Sequence, residues 1–181
     1  EVERENTLIN DLLELVKLDK AAAELNISVV NINELAEVIL KTLRPIARKN
    51  NVEVTLISKR EILAEVDKVK MSQIITNLVE NAIKYNREQG KVEVTLDADH
   101  QFFTVQVEDT GIGIPAEAIS QIYERFYRVD KSHSRKIGGT GLGLAITRSA
   151  VLLHRGSIKV ESRENEGTTF TVKVPLTRSL T

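Results

Sequence analysis

Residues 109–115 read DTGIGIP, and they follow the alternating run FFTVQVE at 102–108. Alternation of apolar and polar residues over seven positions is the pattern of a half-buried strand. The strand ends on Asp109, and Gly111 and Gly113 then let the chain turn sharply and approach a ligand with no Cβ in the way. An ionised carboxylate only accepts hydrogen bonds, so a fixed Asp109 suits a donor such as an exocyclic amino group. Taken alone, the stretch fits equally well an acidic tight turn with Pro115 opening the next helix.

Working outward, KVEVTLD at 91–97 alternates in the same way and is joined to 102–108 by a polar turn with Asp99 and His100, a hairpin pattern. Upstream, 67–85 is the strongest helix, with Val69, Ile74, Ile75, Leu78, Val79, Ala82 and Ile83 on its apolar side. Strands are expected at 27–32, 52–57 and 62–66. Asn33 is expected to cap a helix over 34–50 that buries Leu35, Val38, Ile39 and Leu43, with Pro45 bending or weakening it. Downstream come a short helix to about residue 125 and a polar, basic stretch at 127–140 that reads as a functional lid. A helix over 142–154 and strands at 157–163 and 168–174, around a turn at 165–167, close the chain. Hairpins at two places exclude a purely parallel sheet. The expected architecture is a two-layer α/β sandwich, a mixed sheet with helices on one face.

Residues 1–26 form a separate unit in this reading. Leu8, Ile9, Leu12, Leu13, Leu15, Val16 and Leu18 recur at helical intervals in a wide apolar stripe. Such a helix packs against other helices, or else lies on its own domain as an ordinary surface helix. A chain that opens inside a helical pattern reads as a piece of something longer. With 41% hydrophobic and 28% charged residues the composition is globular rather than disordered. A net charge of −1 offers nucleic acid no attraction, and the absence of cysteine excludes disulfides and thiolate metal sites. No run approaches the roughly 20 apolar residues of a membrane span.

Two further stretches carry chemistry. GGTGLGLAI at 138–146 leads glycines into a helix start, where exposed N–H groups suit a phosphate; a flexible hinge with close helix packing would look the same. It lacks both the lysine–serine ending of a P-loop and the strand that leads into a dinucleotide loop. In NLVENAIKYN at 77–86, Asn77, Asn81 and Lys84 share one helix face. An asparagine carbonyl is a hard oxygen ligand for Mg²⁺, and a lysine reaches phosphates as a point charge. Solvated polar residues on a helix edge are the alternative.

The ordered set NLVENAIKYN, DTGIGIP, ERFYRVD, GGTGLGLAI and EGTTF resembles the N, G1, F, G2 and G3 boxes of sensor histidine kinases, relatives of the gyrase, mismatch-repair and heat-shock ATPases. LINDLLELVKLD at 8–19 likewise resembles the second helix of their dimerisation and phosphoacceptor domain. The resemblance implies a histidine-kinase ATPase (Bergerat) sandwich over 27–181, preceded by the C-terminal helix of a dimerisation domain over 1–26. It implies ATP and Mg²⁺ as cofactors, with Asp109 on the adenine amino group and Asn81 on the metal. Asn77 and Lys84 would lie near the phosphates and Arg128 near the γ-phosphate, these three forming the catalytic set. Tyr85, Gly111, Gly113 and Ile114 would line the nucleotide site, and Phe126 would anchor the lid. Gly139, Thr140, Gly141, Leu142 and Gly143 would meet the phosphates, and Thr169 would support the adenine end, leaving Gly167 and Thr168 to the last turn and strand.

In the ATP-hydrolysing relatives a glutamate stands near the position of Asn77. An amide is a poor general base, so transfer to another acceptor is favoured over hydrolysis. The resemblance makes that acceptor a histidine of the protein's own dimerisation domain, and then an aspartate on a response-regulator receiver domain. The parent would be a homodimer anchored in the cell membrane, with this part in the cytoplasm. None of His100, His133 and His154 lies in a sequence like the family's phosphoacceptor motif, so autophosphorylation is not expected of this chain alone. His154, at a helix C-terminus, sits where partial positive charge is favourable. Two rivals remain at this point: a serine kinase or ATPase on the same nucleotide fold, and a degenerate module that serves as an interaction platform.

Overall fold

The computed structural model describes residues 25–124 and 143–178. The chain begins with β1 (Ile27–Asn31) and α1 (Ile32–Lys49), then β2 (Val52–Ser58), β3 (Leu63–Asp67) and α2 (Lys68–Lys84). The hairpin β4 (Gly90–Ala98) and β5 (Phe102–Asp109) follows, then a 3₁₀ helix at Ala116–Gln121. Helix α3 (Gly143–Leu153) and the hairpin β6 (Ser157–Arg163) and β7 (Gly167–Pro175) complete it. The N-terminal helix expected over 1–26 and the lid expected over 127–140 lie outside the described residues, with His133 among the latter.

Five strands form one mixed sheet in the order β2-β4-β5-β7-β6, and β1 and β3 pair as a separate antiparallel ribbon. The β2–β4 pair is parallel and the other three are antiparallel. The parallel pair arises because β3 and α2 supply the crossover between β2 and β4. Register puts Val94, Val107 and Phe170 side by side, and likewise Leu96, Val105 and Val172, all buried. Alternate residues, among them Gln106, Glu108 and Lys173, face outward. Helices α1 on β2, α2 on β4 and β5, and α3 on β6 cover the apolar face, which is the expected two-layer arrangement.

Three local expectations are corrected. The α1 cap is Asn31, whose Oδ1 accepts the Glu34 amide at 3.0 Å. Asn33 lies inside the first turn and clasps the 60–62 loop instead, donating to the Arg60 carbonyl at 2.8 Å and accepting the Ile62 amide at 2.7 Å. Val38 and Val69 face solvent at 64% and 78% exposure; Ala36 and Leu40 on α1, and Met71 on α2, fill the buried stripes. Helix α1 runs through Pro45, which is exposed, so the carbonyl it leaves without a partner faces water. No helix among the described residues is long and apolar enough to cross a membrane.

Helices α2 and α3 are locked at one end by two side chains. Asp67 caps α2, its Oδ1 accepting the Lys70 amide at 3.0 Å and its Oδ2 the Asn26 amide at 3.0 Å. These bonds and the nearby Lys70 ammonium outweigh its partial burial and hold its carboxyl below the usual range. His154 is 1% exposed and accepts the Asp67 main-chain amide at 3.1 Å through Nε2, while Nδ1 lies 2.8 Å from the Ala150 carbonyl. The acceptor role of Nε2 assigns the proton to Nδ1, so the ring is neutral and the favourable positive charge expected at this helix end is absent. Burial, the largest influence, lowers its pKa from 6.5.

A His whose folded pKa is lowered contributes stability that is complete above its unfolded value and declines as pH falls below it. His154→Phe should therefore cost about 1–3 kcal/mol at neutral pH by leaving the Asp67 amide unsatisfied. Denaturant melts of both proteins should show that difference shrinking below pH 6.5; a constant difference would exclude a neutral buried ring.

Candidate functional site

The site is assembled where the C-terminal ends of α2 and β5 meet. Tyr85 ends α2, and its carbonyl accepts the Ile112 amide at 3.0 Å. A Cβ on Gly111 would collide with that same carbonyl and with the Asp109 carboxylate, so glycine is the residue that permits the approach. Gly113 has φ +72 and packs where a Cβ would strike the Arg163 carbonyl. Lys84 lies in the last turn of α2 with its Nζ 5.3 Å from the Tyr85 ring centroid. Tyr85, Asp109 and Gly111 thus meet at the end of α2, with Lys84 beside the Tyr85 ring and Gly113 and Ile114 following in the same loop.

Asp109 closes β5 between Val92 of β4 and Thr168 of β7. Its Oδ1 accepts the Gly111 amide at 2.8 Å, and the Thr168 amide also bonds to the carboxylate. Burial nevertheless dominates these two bonds, with a smaller push from Glu108, and its pKa rises from 3.8 to about 6. Among the described residues no cation is paired with it. A half-buried carboxylate held by backbone amides and left poised near neutrality is a ligand-facing group more often than a structural one.

Strand register separates Thr168 from Thr169, and Thr168, not the Thr169 expected to support the adenine end, pairs with Asp109. Strand alternation sends successive side chains to opposite faces. Thr169 pairs with Glu108 and Glu161, on the outer face, whereas Thr168 pairs with Asp109 and is buried. Both line an open cleft of about 580 Å³ across the ends of β5, β7 and β6, and Thr168 is the one on the carboxylate's face. The Thr168 hydroxyl lies 2.7 Å from Ser162 Oγ, which donates to the Gly167 carbonyl at 2.9 Å and accepts the Ile114 amide at 2.7 Å.

About two helical turns back along α2, roughly 10 Å at 1.5 Å per residue, Asn77 faces the start of α3. Its amide donates to the Gly143 carbonyl and to Thr147 Oγ1, each at 3.3 Å, and Thr147 donates to the same carbonyl at 2.8 Å. The Asn77 side chain therefore braces α3, which the sequence reading did not anticipate. Asn81 is half-buried one turn further on. Among the described residues nothing lies within 4 Å of a Cβ built at Gly143. Phe126, Arg128, Gly139, Thr140, Gly141 and Leu142 lie outside the described residues.

Asn86 and Arg87 were given no role by the sequence reading. Asn86 is buried and holds the Lys91 carbonyl at 3.0 Å and the Thr110 hydroxyl at 3.2 Å, fixing the first step of the loop after Asp109. Its place at the end of NLVENAIKYN, as a second polar residue where a helix stops, was the available signal. No cluster of three or more His, Asp or Glu suited to a metal occurs among the described residues. The donor set fits Mg²⁺ in another way, through an asparagine oxygen with water and phosphate oxygens completing the shell.

The profile of the family described as histidine kinase-, DNA gyrase B-, and HSP90-like ATPase matches residues 66–178. The sensor protein kinase WalK of Staphylococcus epidermidis is 39% identical over 177 residues, which is 97% of this chain and 29% of that protein. The chain thus spans less than a third of that relative's length. A nucleotide-free catalytic domain of the histidine kinase ThkA superposes with a TM-score of 0.73 at 30% identity, covering 84% of this chain and 97% of that one. ThkA in complex with the response regulator protein TrrA superposes with a TM-score of 0.76 at 27% identity, covering 97% of this chain and 48% of that one.

Asp109 raises a prediction that needs no ligand. A carboxylate whose folded pKa is raised contributes full stability below its unfolded value and loses it as pH rises through the folded one. Asp109→Asn should therefore be more stable than the parent at neutral pH, by on the order of 1 kcal/mol. Thermal melts across pH should show the gain vanish as pH falls from about 6 towards 3.8; a variant less stable at every pH would contradict the assignment.

Proposed function

The chain belongs to the histidine kinase-, DNA gyrase B-, and HSP90-like ATPase family, and we propose that it is the Mg-ATP-binding, phosphoryl-donating part of a sensor histidine kinase. The observation that carries the reading is the Asp109 carboxylate, set among glycines and backbone amides with no cation paired to it among the described residues. It suits the exocyclic amino group of adenine, which donates where a carboxylate accepts. Gly111, Gly113 and Ile114 shape the base end, with Tyr85 beside them, and Thr168 takes the place first given to Thr169. In the last turn of α2 Asn81 holds Mg²⁺ and Lys84 supplies positive charge, and the start of α3 at Gly143, braced by Asn77, receives phosphate oxygens. Arg128, Phe126 and the glycine-rich 139–142 stretch complete that end in this proposal.

Mg²⁺ contributes charge neutralisation on the phosphates when it is bound. The chain's own residues position the nucleotide, which is most of what phosphoryl transfer requires. Asn77 is no general base, and its amide is engaged by Gly143 and Thr147. Both facts favour transfer over hydrolysis. His154 is buried with both ring nitrogens engaged and His100 sits in the β4–β5 turn; in this proposal the acceptor histidine belongs to the parent's dimerisation domain. Residues 1–26 are assigned to the last helix of that domain. In this proposal the phosphoryl group passes onward to a response-regulator aspartate, and the homodimeric parent is held at the membrane with this part in the cytoplasm. The sensor-kinase relatives and the ThkA–TrrA assembly support both steps by analogy.

Calorimetric titration with ADP and a non-hydrolysable ATP analogue, with and without Mg²⁺, tests the proposal. Binding should strengthen with Mg²⁺ and disappear in Asp109→Asn. Asn81→Ala should keep base binding and lose the magnesium dependence. Affinity should also weaken as pH falls through about 6, by up to about tenfold per unit, because the protonated carboxyl no longer serves as a pure acceptor. Affinity that is independent of pH and unchanged in Asp109→Asn would remove the base-recognition role.

A further inference from the structure

Arg87 stands in the connection between α2 and β4, outside every motif that the sequence reading singled out, and its backbone neighbourhood is solvent-exposed. Its Nη2 nevertheless donates to two main-chain carbonyls from distant parts of the chain: Gly111 at 3.0 Å and Asn165 at 2.5 Å. The first lies in the loop after Asp109 and the second in the β6–β7 turn.

These two bonds close a ring. The Ile112 amide donates to Tyr85, the residue that ends α2, and the Ile112 carbonyl accepts the Asn165 amide at 2.6 Å. Asn165 is held at φ +67, a left-handed conformation that needs its surroundings to maintain it. The peptide between Gly111 and Ile112 is therefore gripped on both sides, its carbonyl by Arg87 and its N–H by Tyr85. The preceding peptide gives the Gly111 amide to the Asp109 carboxylate. One guanidinium thus ties three turns to each other, and the loop so held presents the carboxylate at the floor of the site.

We infer that Arg87 is a positioning residue that fixes the Asp109–Gly113 loop and so sets selectivity for the adenine base over other bases. The inference rests on the proposed nucleotide site. Adenine and guanine differ at the edge that Asp109 would read, since one offers an amino group where the other offers a carbonyl oxygen. A carboxylate accepts from the first and repels the second. That discrimination needs the carboxylate held still, because a loop free to shift adjusts to either base. A lysine would keep the charge, but its Nζ ends one bond short of the Nη2 that meets both carbonyls.

The test compares the unaltered chain with Arg87→Met and Arg87→Lys. Calorimetry reads ADP and GDP binding, and amide hydrogen exchange reads the nucleotide-free proteins. Arg87→Met should weaken ADP about tenfold, the value of one charge-assisted hydrogen bond, while GDP changes less, so that the selectivity ratio falls. Arg87→Lys should lie between. Exchange should quicken at Ile112 and Asn165 and stay unchanged at Val105 and Val172 in the sheet. Unchanged exchange at Ile112 and Asn165 would overturn the inference. So would faster exchange with an unaltered ADP-to-GDP ratio, or equal losses for both nucleotides with faster exchange throughout. If the unaltered chain bound neither nucleotide, the functional proposal would fall by itself, and the exchange pattern would still decide whether Arg87 holds the loop.

Discussion

The close passage of the Gly111 backbone over the Tyr85 carbonyl is the contact on which the rest of the site depends. It joins the end of the helix that carries Asn77, Asn81 and Lys84 to the end of the strand that carries Asp109. Any side chain at 111 would push these apart, because the obstacle is backbone and has nowhere to move. The hydrogen bond from Ile112 to Tyr85 then fixes the loop's direction, and the Gly111 amide turns back onto the Asp109 carboxylate. Asp109 is thereby held beside one rigid helix that carries Asn77, Asn81 and Lys84, which positions such groups better than loops would.

Rigidity at this end has a counterpart at the other. Asp67 caps α2, and His154 at the end of α3 accepts the main-chain amide of that same aspartate. The start of α3 is braced in turn by Asn77 of α2 through Gly143 and Thr147. Helices α2 and α3 are thus pinned to each other at both ends by polar groups, while Leu78, Ile75 and Ala150 fill the space between the helices and the sheet. Apolar packing supplies most of the stability, but it is tolerant of small slips. The directional bonds set the register, and register decides where Gly143 stands relative to Asn81.

Much of this was legible in the sequence, and the parts that were not share a physical reason. Period-two alternation located the strands, and the 3.6-residue period located α1, α2 and α3, because burial on one face imposes those patterns directly. The DTGIGIP loop was legible only in its order with the other four motifs, because alone it fits an acidic tight turn equally well. The α1 cap was misplaced by two residues because Asn31 and Asn33 offer the same chemistry, and only the fold shows which one loops back to Arg60 and Ile62. Thr168 and Thr169 were exchanged because two adjacent threonines are equivalent until strand register assigns them to faces. Val38 and Val69 were drawn into buried stripes by their apolarity alone. Arg87 and Ser162 act across long separations of sequence, where local pattern is silent. The bracing role of Asn77 belongs to the same class, since its partners lie on another helix.

The two perturbed groups at opposite ends of α2 pull stability in opposite directions with pH. The stability that neutral His154 contributes declines as pH falls below 6.5, because the unfolded chain takes up the proton there, whereas the burden of a buried ionised Asp109 is relieved as pH falls through about 6. One penalty therefore grows while the other shrinks over much the same interval, and the net stability changes less than either group alone would dictate. In the proposed site binding has no such compensation, because of these two groups only Asp109 would face the ligand. The burial that makes its charge unfavourable in the empty protein also strengthens its hydrogen bond to a donor once the site is filled. A paired cation beside Asp109 would have removed the penalty and the recognition together. The carboxylate's isolation is thus a functional strain that the Asp67–His154 end of the helix pair is placed to balance.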